Sequence, residues 1–168
     1  MKTKKYKLDK IKLLLLDVDG VMTDGSITID SAKNSTLTFH VHDGYGIVQA
    51  IKHGIPVGII TGRKSLAAKE RANNLGIKEF HWGAINKIPI YEKIKKKYRL
   101  ADIEIAYIGD DLPDLPIIKK VGFSAIPKNA RKELFKYAHY ITKSNGGKGA
   151  VREVIDLIFK SKKIQMDQ

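Results

Sequence analysis

Short apolar runs closed by turn residues alternate along the chain with amphipathic stretches of helical period, the pattern of a parallel sheet covered by helices. Strands are predicted over 11–16, 56–60 and 103–108, with shorter candidates over 79–82 and 122–125. Helices are predicted over 45–52, 65–75, 87–98, 115–121, 130–137 and 150–160, the second with Ser65 as its N-cap. One segment departs from the alternation. Residues 26–30 and 35–41 read as two strands joined by the polar turn Ser31, Ala32, Lys33, Asn34, a hairpin of about 24–41 inserted after the first strand, with His40 and His42 alternating on its second arm. The expectation is an α/β fold: a Rossmann-like parallel sheet flanked by helices, with a short inserted β-hairpin and no separate cap domain.

The length of 168 residues suits one domain, placed at 11–160 between a frayed basic N-terminus (1–10) and a basic tail (161–168). No stretch approaches the ~18 to 20 apolar residues of a membrane span, and the basic start lacks the apolar core and cleavage site of a signal peptide. The expected compartment is therefore the cytoplasm, with no membrane partner. The chain has no cysteine, which excludes disulfides, thiol nucleophiles and thiolate zinc sites. A net charge of +13 invites a nucleic-acid reading, but the charge sits in the wrong places and on the wrong residue. Residues 1–12 carry six Lys and one Asp, residues 160–168 three Lys and one Asp, and 26 of the 31 basic residues are Lys. Readers of bases and phosphates favour the bidentate fork of Arg, so no nucleic-acid partner is expected.

In an open α/β sheet ligands bind beyond the carboxyl ends of the strands, and here those ends are informative. The first strand runs into Asp17, Asp19, Gly20 and Thr23; the second into Thr61, Gly62 and Arg63; the third into Asp110, Asp111 and Asp114. Burying Asp17 beside Asp19 without a counterion is expensive, and a divalent cation relieves the cost. Oxygen ligands without a His cluster suit magnesium better than zinc, and magnesium points to phosphate. One carboxylate can attack phosphorus while the other serves as acid and base, with Thr61 and Lys87 as donors to the phosphoryl oxygens and Gly20 and Gly62 admitting close backbone amides. Any one of these Asp residues alone reads as readily as a cap or turn residue; the ordered set on three strand ends carries the argument.

This set, Asp17, Asp19, Gly20 and Thr23, then Thr61, Lys87, and Asp110 with Asp111, resembles the haloacid dehalogenase superfamily of phosphohydrolases. Asp24 and Gly25, the run Asp43, Gly44, Tyr45, Gly46, and the segment from Gly146 to Glu153 narrow the likeness to small phosphatases of 3-deoxy-D-manno-octulosonate 8-phosphate, over roughly residues 11–160. The resemblance implies Asp17 as nucleophile and Asp19 as acid and base. It implies magnesium on Asp17, the Asp19 carbonyl and Asp110, oriented by Asp111 and Asp114. Phosphate would lie on Thr61 and Lys87 and Arg63 near the sugar-acid end of the substrate, with Gly20, Gly62 and Asp43 as further substrate-binding residues. It also implies homotetramers in which neighbouring subunits cover each site, because 38 positions from Thr23 to Thr61 leave little room for a cap. The Gly146–Gly149 stretch is expected to be mobile and to help cover the site. His42, and Ile126 to Asn129, leave the substrate open between an eight-carbon sugar acid phosphate and a nine-carbon one of sialic-acid type. A receiver domain would order the same residue types differently, and a non-catalytic binding module would have little reason to keep both Asp17 and Asp19.

Overall fold

The computed structural model describes residues 7–31 and 35–166. The turn proposed at Ala32, Lys33 and Asn34, and residues 1–6 and 167–168 of the termini, lie outside the described residues. In chain order the elements are β1 (Leu13–Leu16), β2 (Thr28–Ile29), β3 (Ser35–Thr36), α1 (Val41–Lys52), β4 (Val57–Ile60), α2 (Leu66–Asn74), β5 (Glu79–His81), α3 (Ile88–Tyr98), β6 (Ile105–Ile108), α4 (Leu115–Ile118), β7 (Phe123–Ile126), β8 (Tyr140–Ile141) and α5 (Ala150–Lys162).

Six strands form one parallel sheet in the order β5-β4-β1-β6-β7-β8, with β1 between β4 and β6. All four leucines of β1 are fully buried, because helices cover both faces of the sheet. Leu14 and Leu16 pack with Ile47 of α1, Ala72 of α2 and Val154 and Ile158 of α5. Leu13 and Leu15 face the other way, onto Tyr91 and Ile94 of α3 and Ile117 and Ile118 of α4. The order reverses at β1, so its carboxyl end opens into a crevice between β4 and β6. The inserted hairpin is a separate antiparallel pair, Thr28 opposite Thr36 and Ile29 opposite Ser35.

Several elements differ from the sequence expectation. The second hairpin arm stops at Thr36 and α1 begins at Val41, so His40 and His42 stand at a helix N-terminus, ring centroids 5.0 Å apart, not on a strand. The helix expected over 130–137 is a single 3-10 turn, Lys132–Leu134, in which only Leu134 is buried; one apolar anchor cannot sustain an amphipathic face. The chain then adds β8, a two-residue strand too short for a periodic signature. Residues 8–10 are not frayed: Leu8–Lys10 is a 3-10 turn, Leu8 packs on the core, and the Lys162 ammonium donates to the Asp9 carbonyl at 2.6 Å. After α5, Ile164 and Met166 also pack on the core, which removes 164–166 from the expected loose tail.

Candidate active site

The loop after β1 is a tight turn built on one carbonyl. Val18 O accepts from the backbone of Val21, Met22 and Thr23 at 3.2, 2.9 and 3.1 Å. The buried Thr23 hydroxyl accepts from Gly20 N at 3.4 Å and Gly25 N at 3.3 Å. Gly20 has φ +79°, and a Cβ there would lie 2.1 Å from Asp110 Oδ2. Only glycine lets the loop after β1 and the loop after β6 close on each other.

A cavity of about 440 Å³ opens at this point. Asp17, Asp19, Gly20, Thr61, Gly62, Arg63, Lys87, Asp110, Asp111 and Asp114 all line it, so the three strand ends do converge. Thr61 is buried where β4 ends, its backbone N–H donating to His81 O at 2.9 Å. Lys87, 3% exposed, precedes α3, whose first turn carries Pro89. Its ammonium donates to Asp17 Oδ2 at 2.9 Å and to Asp114 Oδ1 at 2.6 Å.

Asp114 is buried and its oxygens are spent. Oδ1 also accepts from the Tyr107 hydroxyl at 2.5 Å, and Oδ2 accepts from Asp110 N at 2.9 Å and Asp111 N at 3.3 Å. It braces the loop that carries Asp110. Tyr107, fully buried in β6, was not singled out from the sequence; its signal was a hydroxyl inside an apolar run three residues before Asp110. Asp111 is exposed and turns its carboxylate to Leu112 N at 2.7 Å, capping the short turn that follows.

One placement differs from expectation. Asp43 lies outside the cavity: its carboxylate accepts from Arg152 N at 2.7 Å and Gly149 N at 3.3 Å, capping the start of α5 from a neighbouring helix. Burial pushes its carboxyl above the usual range despite those donors. The segment from Gly146 is hydrogen-bonded against the loop after β1 in this conformation. Gly146 N donates to Asn129 Oδ1 at 2.9 Å, Gly147 N to Val21 O at 2.9 Å, and a Cβ on Gly146 would sit 1.8 Å from Gly20 O. Its glycines allow close contact with the loop after β1. Arg63 spends its guanidinium on Asp19, with Nε to Oδ2 at 3.0 Å and Nη2 to Oδ1 at 2.6 Å.

The electrostatics call for a cation. Burial, then the charge of Asp114, raise Asp17 to about 6, although Lys87 pulls it down. Burial and the charges of Asp114, Asp17 and Asp111 raise Asp110 to about 8. Burial alone would lower Lys87, but Asp17 and Asp114 more than offset it and leave the ammonium firmly charged. Asp17, Asp110 and Asp114 each bring an oxygen within 4.8 Å of the others. With Asp114 already saturated, Asp17 and Asp110 are the carboxylates with lone pairs to give, and among the described residues no hydrogen bond reaches the Asp19 carbonyl oxygen. This all-oxygen donor set fits a hard divalent cation such as magnesium.

A model of haloacid dehalogenase-like hydrolases matches residues 79–155. The 3-deoxy-D-manno-octulosonate 8-phosphate phosphatase KdsC of Escherichia coli (strain K12) is 43% identical over 152 residues, 90% of this chain and 81% of the relative. The crystal structure of the phosphatase of the same name from Yersinia pestis superposes with a TM-score of 0.94 at 40% identity, over 96% of this chain and 88% of that one. The Moraxella catarrhalis phosphatase, solved with a magnesium ion, a phosphate ion and a KDO molecule, gives a TM-score of 0.93 at 38% identity, over 97% and 94% of the two chains.

Proposed function

Because the chain belongs to the haloacid dehalogenase-like hydrolases, in the family of the 3-deoxy-D-manno-octulosonate 8-phosphate phosphatases, we propose that it hydrolyses that phosphomonoester with magnesium, in lipopolysaccharide precursor synthesis. The observation that carries this reading is a buried carboxylate, Asp17, held between Lys87 and the Asp110 loop at the floor of an open cavity. A carboxylate oxygen of Asp17 attacks phosphorus while the bond from phosphorus to the sugar oxygen breaks, and Asp19 gives that oxygen its proton. Water then attacks the aspartyl-phosphate, Asp19 takes the proton back, and Asp17 is restored as phosphate leaves. Thr61 and Lys87 donate to the phosphoryl oxygens throughout, and Asp114 keeps Lys87 in place. Asp17, the Asp19 carbonyl and Asp110 would hold magnesium, which when bound would supply positive charge against the phosphate.

The site is open within one chain, and single apolar side chains are exposed beside it, on the hairpin and at the start of α1: Ile85 is 90% exposed, Ile29 68% and Val41 72%. These side chains support a homotetramer whose neighbouring subunits cover each site, and the proposal places the enzyme in the cytoplasm as a single domain. Phosphate release with magnesium from the eight-carbon acid phosphate, a nine-carbon acid 9-phosphate and carboxylate-free sugar phosphates tests the reaction, with Asp17→Asn as the inactive control. No turnover on any of them rejects the enzyme; preference for the nine-carbon acid replaces the substrate and keeps the mechanism. Light scattering of a monomer at micromolar concentration rejects the assembly.

A further inference from the structure

Arg63 and Asp19 form a closed pair at the mouth of the cavity. The guanidinium fork occupies both oxygens of the carboxylate, at 3.0 and 2.6 Å. Among the described residues neither side chain makes another hydrogen bond, and each is only about a quarter exposed, 27% and 28%. The pair is therefore held by itself alone and faces whatever enters the cavity that both residues line.

The chemistry assigned to Asp19 needs one of those oxygens turned to the departing sugar oxygen, a geometry that the fork denies. A bidentate carboxylate–guanidinium contact is also what a substrate carboxylate asks of Arg63. One fork thus faces two competing carboxylates. We propose that Arg63 is a latch on Asp19 that the substrate's own carboxylate opens: the sugar acid takes the guanidinium, and Asp19 is released to serve the leaving oxygen. The inference rests on the phosphatase reaction above and adds a link between recognition and turnover.

The exchange replaces one bidentate pair by another, so the sugar acid opens the latch at little net cost. A phosphate ester without a carboxylate has to break the pair unaided, and a partly exposed ion pair of this kind corresponds to roughly a 1.5- to fivefold loss of turnover. Discrimination then falls on kcat as well as on KM, because the carboxylate assembles the acid and does more than add affinity. Arg63 is in this sense a positioning residue for Asp19.

The test compares two phosphate esters with alcohol leaving groups, the octulosonate 8-phosphate and a five-carbon sugar 5-phosphate, on the wild type and on Arg63→Gln, with melting curves confirming the fold. Arg63→Gln is expected to raise kcat on the five-carbon ester roughly 1.5- to fivefold while kcat/KM on the sugar acid phosphate falls. A residue that only binds the carboxylate cannot produce the first effect. On the wild type, pyruvate added to the five-carbon ester supplies the missing carboxylate from a second molecule and raises turnover by a similar factor; on Arg63→Gln it has no effect. Unchanged or lower turnover of the five-carbon ester by the variant overturns the latch. So does absence of pyruvate activation on the wild type, which needs no variant. If the wild type fails to turn over the octulosonate phosphate at all, the reaction itself falls, and the latch with it.

Discussion

In the cleft, the Asp110 carboxyl is displaced further upward than that of Asp17. Burial and three neighbouring carboxylates raise it from 3.8 to about 8, and among the described residues its carboxylate makes no hydrogen bond that Asn would lose. A carboxyl whose folded value lies above its unfolded one is favoured by folding in its protonated form. Its ionisation therefore costs stability, the cost beginning near pH 4 and growing until the pH passes about 8. At about 1.4 kcal/mol per unit, the displacement sets an upper bound of roughly 5–6 kcal/mol, and solvent relaxation in a partly open cleft reduces this to about 2–4 kcal/mol. Asp110→Asn removes the cost. Urea unfolding in the presence of a chelator should show the variant about 2–4 kcal/mol more stable than the wild type at pH 8.5 and within about 1–2 kcal/mol of it at pH 5, since the comparison cancels the groups the two proteins share. Adding magnesium at pH 8.5 should stabilise the wild type and leave the variant unmoved. An advantage of the variant that is flat across pH, or absent, refutes the electrostatic reading of this cleft.

Other perturbations have equally definite outcomes. Tyr107→Phe leaves Asp114 Oδ1 with one donor fewer in a fully buried setting and should cost about 1–3 kcal/mol in urea unfolding, with a lower kcat as Lys87 loosens. Asp43→Ala uncaps α5 and should cost about 1–2 kcal/mol, while phosphate release per folded molecule stays at the wild-type level, since the carboxylate lies outside the cavity. Gly146→Ala puts a methyl where Gly20 O stands, so it should displace the loop after β1 that carries Asp17 and Asp19, with a loss of kcat disproportionate to any loss of stability.

What could be read from the chain follows the physics of each segment. Strands β1, β4 and β6 are buried on both sides, so their apolar runs announce them, and the side chains just beyond them are forced to the sheet rim. Ser65 was legible because an N-cap is a local device: its hydroxyl accepts from Ala68 N at 3.2 Å. Asp43 was not, because its partners at Gly149 and Arg152 are more than 100 positions away, and nothing local separates a helix cap in trans from a substrate ligand. The glycines near 146 suggested freedom; in this conformation they serve close contact, which glycine satisfies by the same lack of a side chain. The brief β8 and the 3-10 turn at Lys132–Leu134 are shorter than any period that a sequence can display.

The position of β1 sets how the molecule should come apart. It lies mid-sheet, hydrogen-bonded on both sides and wholly buried, whereas the hairpin is held by two pairs of facing residues. In hydrogen exchange the amides of Leu14 to Asp17 should report global unfolding, and those of the hairpin should exchange through local opening at far lower free energy. On warming, the hairpin should loosen while Asp17 at the end of β1 is still in register, so any property that depends on the hairpin should be lost before the geometry of the cleft is.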